Sequence, residues 1–373
     1  MKRMIARRVA PLPNRPARPI EGGAVRRRVC VVGALLLGIV AGAMPVQPTH
    51  GAVVTLTGAG STFVAPFFAA AFAAYGRTHP VQVTYQAIGS GGGIIQFDQG
   101  TLDFAASDAP LARAQLAQAG ANAAVGGPVV QAPVALGGEA IIYNLPALAG
   151  AALRLDGPTT ARIFLGAITV WDDPAIRRLN PGLALPHQYI VPVHRLDGSG
   201  TTYIFTDYLS AVDPTWATTV GKGLGVEWPT GLGGAGNGGV AASVVQQSGA
   251  IGYVELTYAI NAHLPYAQLK NRAGAYVSPT PATVLAAATQ FPRVTAAHAS
   301  IVNAPGATSY PIAGYSWALI RSHLADTAHR RAVAALFRWI VTAGQRYAAA
   351  VHYVPLPTPV RGVANRALDR IAP

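Results

Sequence analysis

The sequence has 373 residues, 51% hydrophobic and 12% charged, which excludes a wholly disordered chain and leaves length for two ordinary domains. Its 41 glycines and 29 prolines follow no Gly-X-Y period, so a collagen-like rod is excluded as well. The net charge of +13 is unevenly placed: residues 1–51 hold nine basic residues against Glu21, and the rest carries 19 basic and 14 acidic residues. With no dense Lys/Arg stripe beyond the leader, no nucleic-acid partner is expected.

In chain order, the basic leader comes first. After Arg26-Arg27-Arg28, an apolar run from Val29 to Met44 is interrupted only by glycines and ends at Pro45. A basic stretch, a short apolar core and then small residues (Gly51, Ala52) form the anatomy of a secretory signal peptide. The run is shorter than the roughly 20 residues a spanning helix needs. Residues 1–52 are therefore expected to be a leader, cut between Ala43 and Val53, and the rest to reach the periplasm. The single cysteine, Cys30, lies within that leader. The exported part is thus expected to carry no disulfide and no sulfur-based metal site.

From Val53 onward, short β-rich runs alternate with alanine-rich or amphipathic stretches. Val53–Leu56 reads as a strand, Pro66–Tyr75 as a helix and Val81–Tyr85 as a strand. Ile94–Gln99 starts another helix, Phe104–Ala106 is a short buried strand, and Val129–Val134 and Ala140–Tyr143 follow as separate runs. Further on come Ala161–Leu165, Tyr189–Val193, Thr202–Leu209 and Val240–Gln246, with Gly231–Gly239 between the last two as a structured loop. Trp317–Ile320 reads as a strand, and His329–Thr342 as a helix with Val333, Leu336, Phe337 and Ile340 on one face. The alternation argues for an α/β architecture with largely parallel sheets.

Three segments share one pattern of strand, then Gly/Ser/Thr, then helix: Thr57-Gly58-Ala59-Gly60-Ser61-Thr62-Phe63, Gly89-Ser90-Gly91-Gly92-Gly93, and Asp197-Gly198-Ser199-Gly200-Thr201-Thr202. Glycines let backbone approach a ligand closely, and the opening N–H groups of a helix are unpaired donors favourable to an anion. Any one such loop is also an ordinary helix cap; three in one chain point to an oxyanion. None matches G-x-x-x-x-G-K-[ST], so nucleotide hydrolysis through a P-loop is unsupported. Arg195-Leu196-Asp197 adds a permanent charge, and residues two apart on an extended segment share a face. Asp197 can thus orient Arg195 while the guanidinium fork grips an oxyanion.

At these motifs the chain resembles the periplasmic phosphate-binding proteins of high-affinity phosphate ABC transporters. The similarity runs through Thr57–Phe63, Tyr85–Gly93, Asp103–Leu111, Ile163–Ile168 with Trp171-Asp172-Asp173, and Arg195–Phe205. It continues in Gly233-Gly234-Ala235-Gly236-Asn237, Gly249–Glu255 and the tail around Tyr353–Pro357, so that it covers essentially all of 53–373. It implies an α/β, two-lobed periplasmic-binding-protein fold of type II kind, with the ligand in a cleft between lobes joined by two crossing segments. Residues 53–130 and 308–373 would form the first lobe and 131–307 the second.

The resemblance further implies a phosphate shell. Thr62 and Phe63 would offer N–H groups at a helix start, with the Thr62 hydroxyl. Ser90 would give a hydroxyl, Asp108 a carboxylate and Arg195 the guanidinium, while Ser199, Gly200 and Thr201 close the site from the second lobe. Where many relatives have Ser-Ser-Gly-Gly, this chain has Ser90-Gly91-Gly92-Gly93, which loses a hydroxyl at 91. The implied protein is a non-enzymatic, monomeric, cofactor-free receptor that delivers phosphate, with arsenate as a mimic, to a membrane permease. The alternatives are a phosphate-ester hydrolase on the same anion cradle, or a receptor for another tetrahedral oxyanion. The first lacks a G-x-S-x-G elbow at Ser90 or Ser199 and any H-E-x-x-H.

Overall fold

The computed structural model describes residues 53–121, 127–323 and 326–371. The leader, its cleavage region and Cys30 lie outside them. The first elements are β1 (Val54–Gly60), α1 (Ala65–Gly76), β2 (Val81–Gln86), α2 (Ser90–Asp98), β3 (Phe104–Ser107) and α3 (Arg113–Gly120). The middle holds β4 (Val129–Tyr143), β5 (Arg154–Leu155), α4 (Gly157–Phe164), α5 (Pro174–Leu179), β6 (Val191–Arg195), α6 (Gly200–Val212), α7 (Pro214–Thr219), β7 (Leu232–Gly234), α8 (Gly236–Gln246), β8 (Ala250–Glu255) and α9 (Leu256–Asn261). The last part holds β9 (Gln268–Lys270), β10 (Tyr276–Val277), α10 (Pro281–Thr289), β11 (Ala313–Arg321), α11 (Thr327–Ile340) and α12 (Thr358–Leu368). Among the described residues, no helix is long and apolar enough to cross a membrane.

Eight strands form one sheet in the order β2-β1-β3-β11-β4-β8-β6-β7, and β10-β9-β5 form a small second one. The expected parallel pairing holds on both flanks, where β1 runs parallel to β2 and β3, and β6 to β7 and β8. The middle differs: β11 is antiparallel to β3 and β4, and β4 to β8. Parallel neighbours need a covering crossover between them. On the flanks helices supply it, α1 between β1 and β2 and α6 between β6 and β7.

The two runs expected at Val129–Val134 and Ala140–Tyr143 are a single 15-residue strand. Its first part pairs with β11 from Val129↔Arg321 to Gly138↔Ala313. Its second pairs with β8 from Glu139↔Glu255 to Tyr143↔Ile251. One strand thus belongs to both halves of the sheet, and its partner changes between Gly138 and Glu139. The stretch expected to be a loop, Gly231–Gly239, is β7 followed by the start of α8.

Each half has its own aromatic packing. Under α1 and α11, Phe68 and Phe72 lie 4.7 Å apart, and Phe104 meets Phe337 at 5.0 Å. All four are buried, and each such side chain stabilises the fold by about 1.5–3 kcal/mol. In the other half Phe205 stacks on Tyr253 at 4.2 Å and meets Phe164 at 4.9 Å. The helix expected at His329–Thr342 is α11, displaced by two residues, because Asp326 caps it by accepting from the N–H groups of Ala328 and His329. Its buried face includes Val333, Leu336, Phe337 and Ile340, as the periodicity predicts.

Candidate anion site between the lobes

The three Gly/Ser/Thr loops meet at one place. The second opens α2 at Ser90, four residues before the expected start at Ile94. Glycines at 91 to 93 are poor helix formers, but close packing explains them. The Gly91 N–H donates to the Gly198 carbonyl at 2.7 Å, and a Cβ at 91 would stand 3.0 Å from Gly198 Cα. A serine side chain at this position would have to enter that contact. At Gly200, the first residue of α6, a Cβ would come 2.3 Å from Asp108 Oδ2 and 2.6 Å from Ser90 Oγ. Only glycine lets these segments approach so closely.

Ser90 Oγ accepts the Gly200 N–H at 3.1 Å and the Asp108 N–H at 3.3 Å, which joins the two halves. Asp108 is 3% exposed. Its carboxylate accepts from the Ser61 hydroxyl at 2.7 and 2.6 Å and from the Ser316 hydroxyl at 2.5 Å. Burial raises the Asp108 carboxyl to about 6, opposed by the Ser316 and Ser61 hydrogen bonds, the Arg195 charge and Ser90. It therefore remains mostly ionised at neutral pH, as an acceptor among donors.

From the other side comes Arg195, also 3% exposed, at the end of β6. Its Nε donates to Asp197 Oδ1 at 2.8 Å, Nη2 donates to Asp197 Oδ2, and Nη1 donates to Thr201 Oγ1 at 3.1 Å. A guanidinium has five N–H groups, so two remain for a ligand. Burial alone would raise the Asp197 carboxyl. The Arg195 hydrogen bonds and charge, with the Gly236 N–H at 2.9 Å, outweigh it and hold the group below the usual carboxylate range. Ser199 is the N-cap of α6: its hydroxyl accepts the Thr202 N–H at 3.0 Å. Capping leaves the hydroxyl proton available, and Thr201 follows in the first helical turn.

Thr62 and Phe63 were expected at the start of α1. They lie in the bend before it, since Val64 is the N-cap and the helix begins at Ala65. Three consecutive carbonyls of this bend are held by distant tyrosines. Tyr85 OH donates to Ser61 O at 2.9 Å, Tyr258 OH to Thr62 O at 2.7 Å, and Tyr353 OH to Phe63 O. A carbonyl aimed into an anion site would repel the anion; here each is bound to a hydroxyl instead. These tyrosines come from β2, α9 and the segment before α12, a convergence that spacing could not reveal.

Asn237 is the other residue that sequence reasoning left without a role. Its Nδ2 donates to Thr62 Oγ1 at 2.7 Å and to Thr201 Oγ1 at 3.0 Å, and its backbone N–H to Thr62 Oγ1 at 3.2 Å. Its Oδ1 accepts the Glu255 N–H at 2.9 Å. One fully buried amide thus ties both walls together. The available signal was a polar residue inside Gly233–Gly239, a stretch otherwise of small residues. Of the expected residues, Thr62, Ser90, Asp108, Arg195, Gly200 and Thr201 are joined through these hydrogen bonds, and Phe63 and Ser199 adjoin them in the chain. Among the described residues no cluster of His, Cys, Asp and Glu could hold a metal ion.

Two α/β halves sharing a strand, with helix starts, a guanidinium and a buried carboxylate converging between them, define the two-lobed periplasmic-binding-protein class. A family model described as a PBP superfamily domain matches residues 45–343. The phosphate-binding protein PstS of Xylella fastidiosa is 43% identical over 306 residues, 82% of each chain. That of Pasteurella multocida is 42% identical over 308 residues, 82% of this chain and 87% of its own. A high-affinity periplasmic phosphate-binding protein solved with phosphate superposes with a TM-score of 0.68 at 23% identity, covering 84% of this chain and 93% of that one. The chain belongs to the PstS family of the PBP superfamily.

Proposed function

We propose that the protein is an exported receptor that binds inorganic phosphate between its lobes and delivers it to the permease of a phosphate ABC transporter. The observation that carries this reading is Asp108. A buried carboxylate set against Ser90 and Gly200 of the same cradle is a mismatch for most anions. Both ionic forms of phosphate at neutral pH carry a P–OH, which can donate to Asp108. Sulfate carries none there, so its oxygens would meet the carboxylate with repulsion and an unmade hydrogen bond. The phosphate shell we assign is Thr62, Phe63, Ser90, Asp108, Arg195, Ser199, Gly200 and Thr201, with Asp197 orienting Arg195. We assign 53–138 and 308–373 to the first lobe and 139–307 to the second, and take the receptor to be a monomer. The boundary lies eight residues beyond the one expected from the sequence, because β4 pairs with β11 as far as Gly138. Membership of a receptor family is matched by the serines: Ser90 Oγ and Ser199 Oγ accept backbone N–H groups, as structural hydroxyls do and activated nucleophiles need not.

Isothermal titration of the protein lacking residues 1–52 tests the reading. Phosphate and arsenate are expected to bind at neutral pH, with sulfate far weaker. Sulfate binding near the phosphate affinity would overturn it. Because Asp108 takes up a proton below about 6, sulfate binding should strengthen as the pH falls through that value.

A further inference from the structure

Glu139 takes no part in the shell described above, yet it occupies a critical point in the fold. It is the first residue of β4 to pair with β8 rather than β11, so it lies where one lobe's sheet passes into the other's. Its backbone is fully used: the N–H donates to Ile312 O at 2.9 Å and the carbonyl accepts from Tyr310 OH at 2.6 Å. The side chain is fully buried, and neither Oε1 nor Oε2 has a hydrogen-bond partner.

Several charged groups face it. Glu255 stands directly opposite on β8, Asp108 bears on it from the end of β3, and Arg195 from the end of β6. Tyr253 on β8 and Tyr310 before β11 are the neighbouring phenols. In this group Arg195 is the cation, and Asp197 already offsets it. An ionised Glu139 would add to Asp108 and the captured anion in a water-poor interior, without one hydrogen-bond donor to compensate it. A charge so placed is costly, and neutralisation is the usual response. Glu255 has hydrogen-bond partners, accepting the Thr257 N–H at 3.0 Å and the Thr257 hydroxyl at 3.2 Å, although burial outweighs them and holds its carboxyl well above the usual range too. Burial, reinforced by Asp108 and opposed by Arg195, pushes the Glu139 carboxyl well above its usual range.

We propose that Glu139 couples phosphate capture to a proton: it is neutral while the lobes are closed, and it ionises when they part. Closing moves one proton from solvent to a Glu139 carboxylate oxygen, and opening returns it. The closed receptor thereby avoids holding a further uncompensated carboxylate charge at the hinge, and the proton leaves when the cleft opens and water reaches it. The inference rests on the phosphate reading of the site. The residue acts on the hinge and need not touch the ligand, so it is a positioning residue.

Calorimetric titration with inorganic phosphate, in buffers of different ionisation enthalpy between pH 6 and 8, counts protons taken up per phosphate. Phosphate's own titration is common to the parent and to Glu139→Gln, so the difference reports Glu139 with the shifts its removal allows in Asp108 and Glu255. Glu255→Gln, expected to keep the extra proton, separates the two carboxyls. The parent is expected to take up close to one proton more than Glu139→Gln. Its dissociation constant should rise up to about tenfold more per pH unit. Glu139→Met, apolar and similar in length, gives the same comparison should the amide variant not fold. Equal proton counts in parent and variant overturn this inference alone. Absence of phosphate binding in both would overturn the receptor reading, and this inference with it.

Discussion

The two walls of the cleft reach the anion site by different means. One wall, Ser61 to Phe63 with Ser90 and Asp108, presents backbone and hydroxyl groups around a single carboxylate. Its geometry is set from afar by Tyr85, Tyr258, Tyr353 and Ser316. The opposite wall is local: Arg195, Asp197, Ser199 and Thr201 fall within seven residues and organise one another. In the proposed receptor the local wall would supply attraction and the long-range wall discrimination. Asn237 links them. Substitutions that separate attraction from discrimination test this division.

The largest effect should come from the attractive wall. Charge-assisted hydrogen bonds contribute about 1.5–3 kcal/mol, and Arg195 keeps two N–H groups for the ligand. Arg195→Ala is expected to weaken phosphate binding by at least ~100-fold, equivalent to about 2.7 kcal/mol. Asp197→Asn should weaken it less, since the guanidinium stays and only its orientation loosens. Titration calorimetry of both variants checks the order, and parent-like binding by Arg195→Ala would remove this wall from the site.

The discriminating wall should respond in stability and selectivity. The Asp108 carboxyl rises from 3.8 to about 6 in the folded protein, so the fold binds a proton more tightly than the unfolded chain. Its contribution is then full below about pH 4 and is lost as pH rises through about 6. The difference amounts to about 3 kcal/mol. Without phosphate, Asp108→Asn should melt above the parent at pH 7–8, with the gap closing toward pH 4. At neutral pH its preference for phosphate over sulfate should narrow, because an amide can donate to either anion. A pH-independent gap in melting temperature would show that Asp108 is not the titrating group.

Removing the link should cost less. Asn237→Ala leaves Thr62 and Thr201 without their shared donor and is expected to weaken phosphate binding by ~10-fold, about 1.4 kcal/mol. The smallest effect is expected from Tyr258→Phe. It frees the Thr62 carbonyl and should weaken binding ~3-fold, in keeping with one neutral hydrogen bond of about 0.5–1.5 kcal/mol. Unchanged binding in both would mean the walls act independently.

Local chemistry was legible in the sequence. Arg195 and Asp197 share a face because residues two apart on an extended segment do so. Ser199 and Gly200 read as a helix start for the same local reason, and the periodicity of Val333, Leu336, Phe337 and Ile340 announced α11. The α/β class followed from the alternation of runs. What the sequence by itself could not decide was anything set by contacts distant along the chain. Pattern reading divided β4 into two runs because its glycines and Glu139 interrupt an apolar stretch, whereas burial between β11 and β8 makes it one strand. The start of α2 was misplaced because glycines disfavour helix, and only the Gly91–Gly198 contact reveals why they are there. Asn237, the three tyrosines and Glu139 are separated from their partners by many residues and by turns of the chain. Hydrogen bonding and desolvation depend on distance in space, and it is the tertiary structure that brings a hinge carboxyl, a guanidinium and a buried aspartate into one electrostatic neighbourhood.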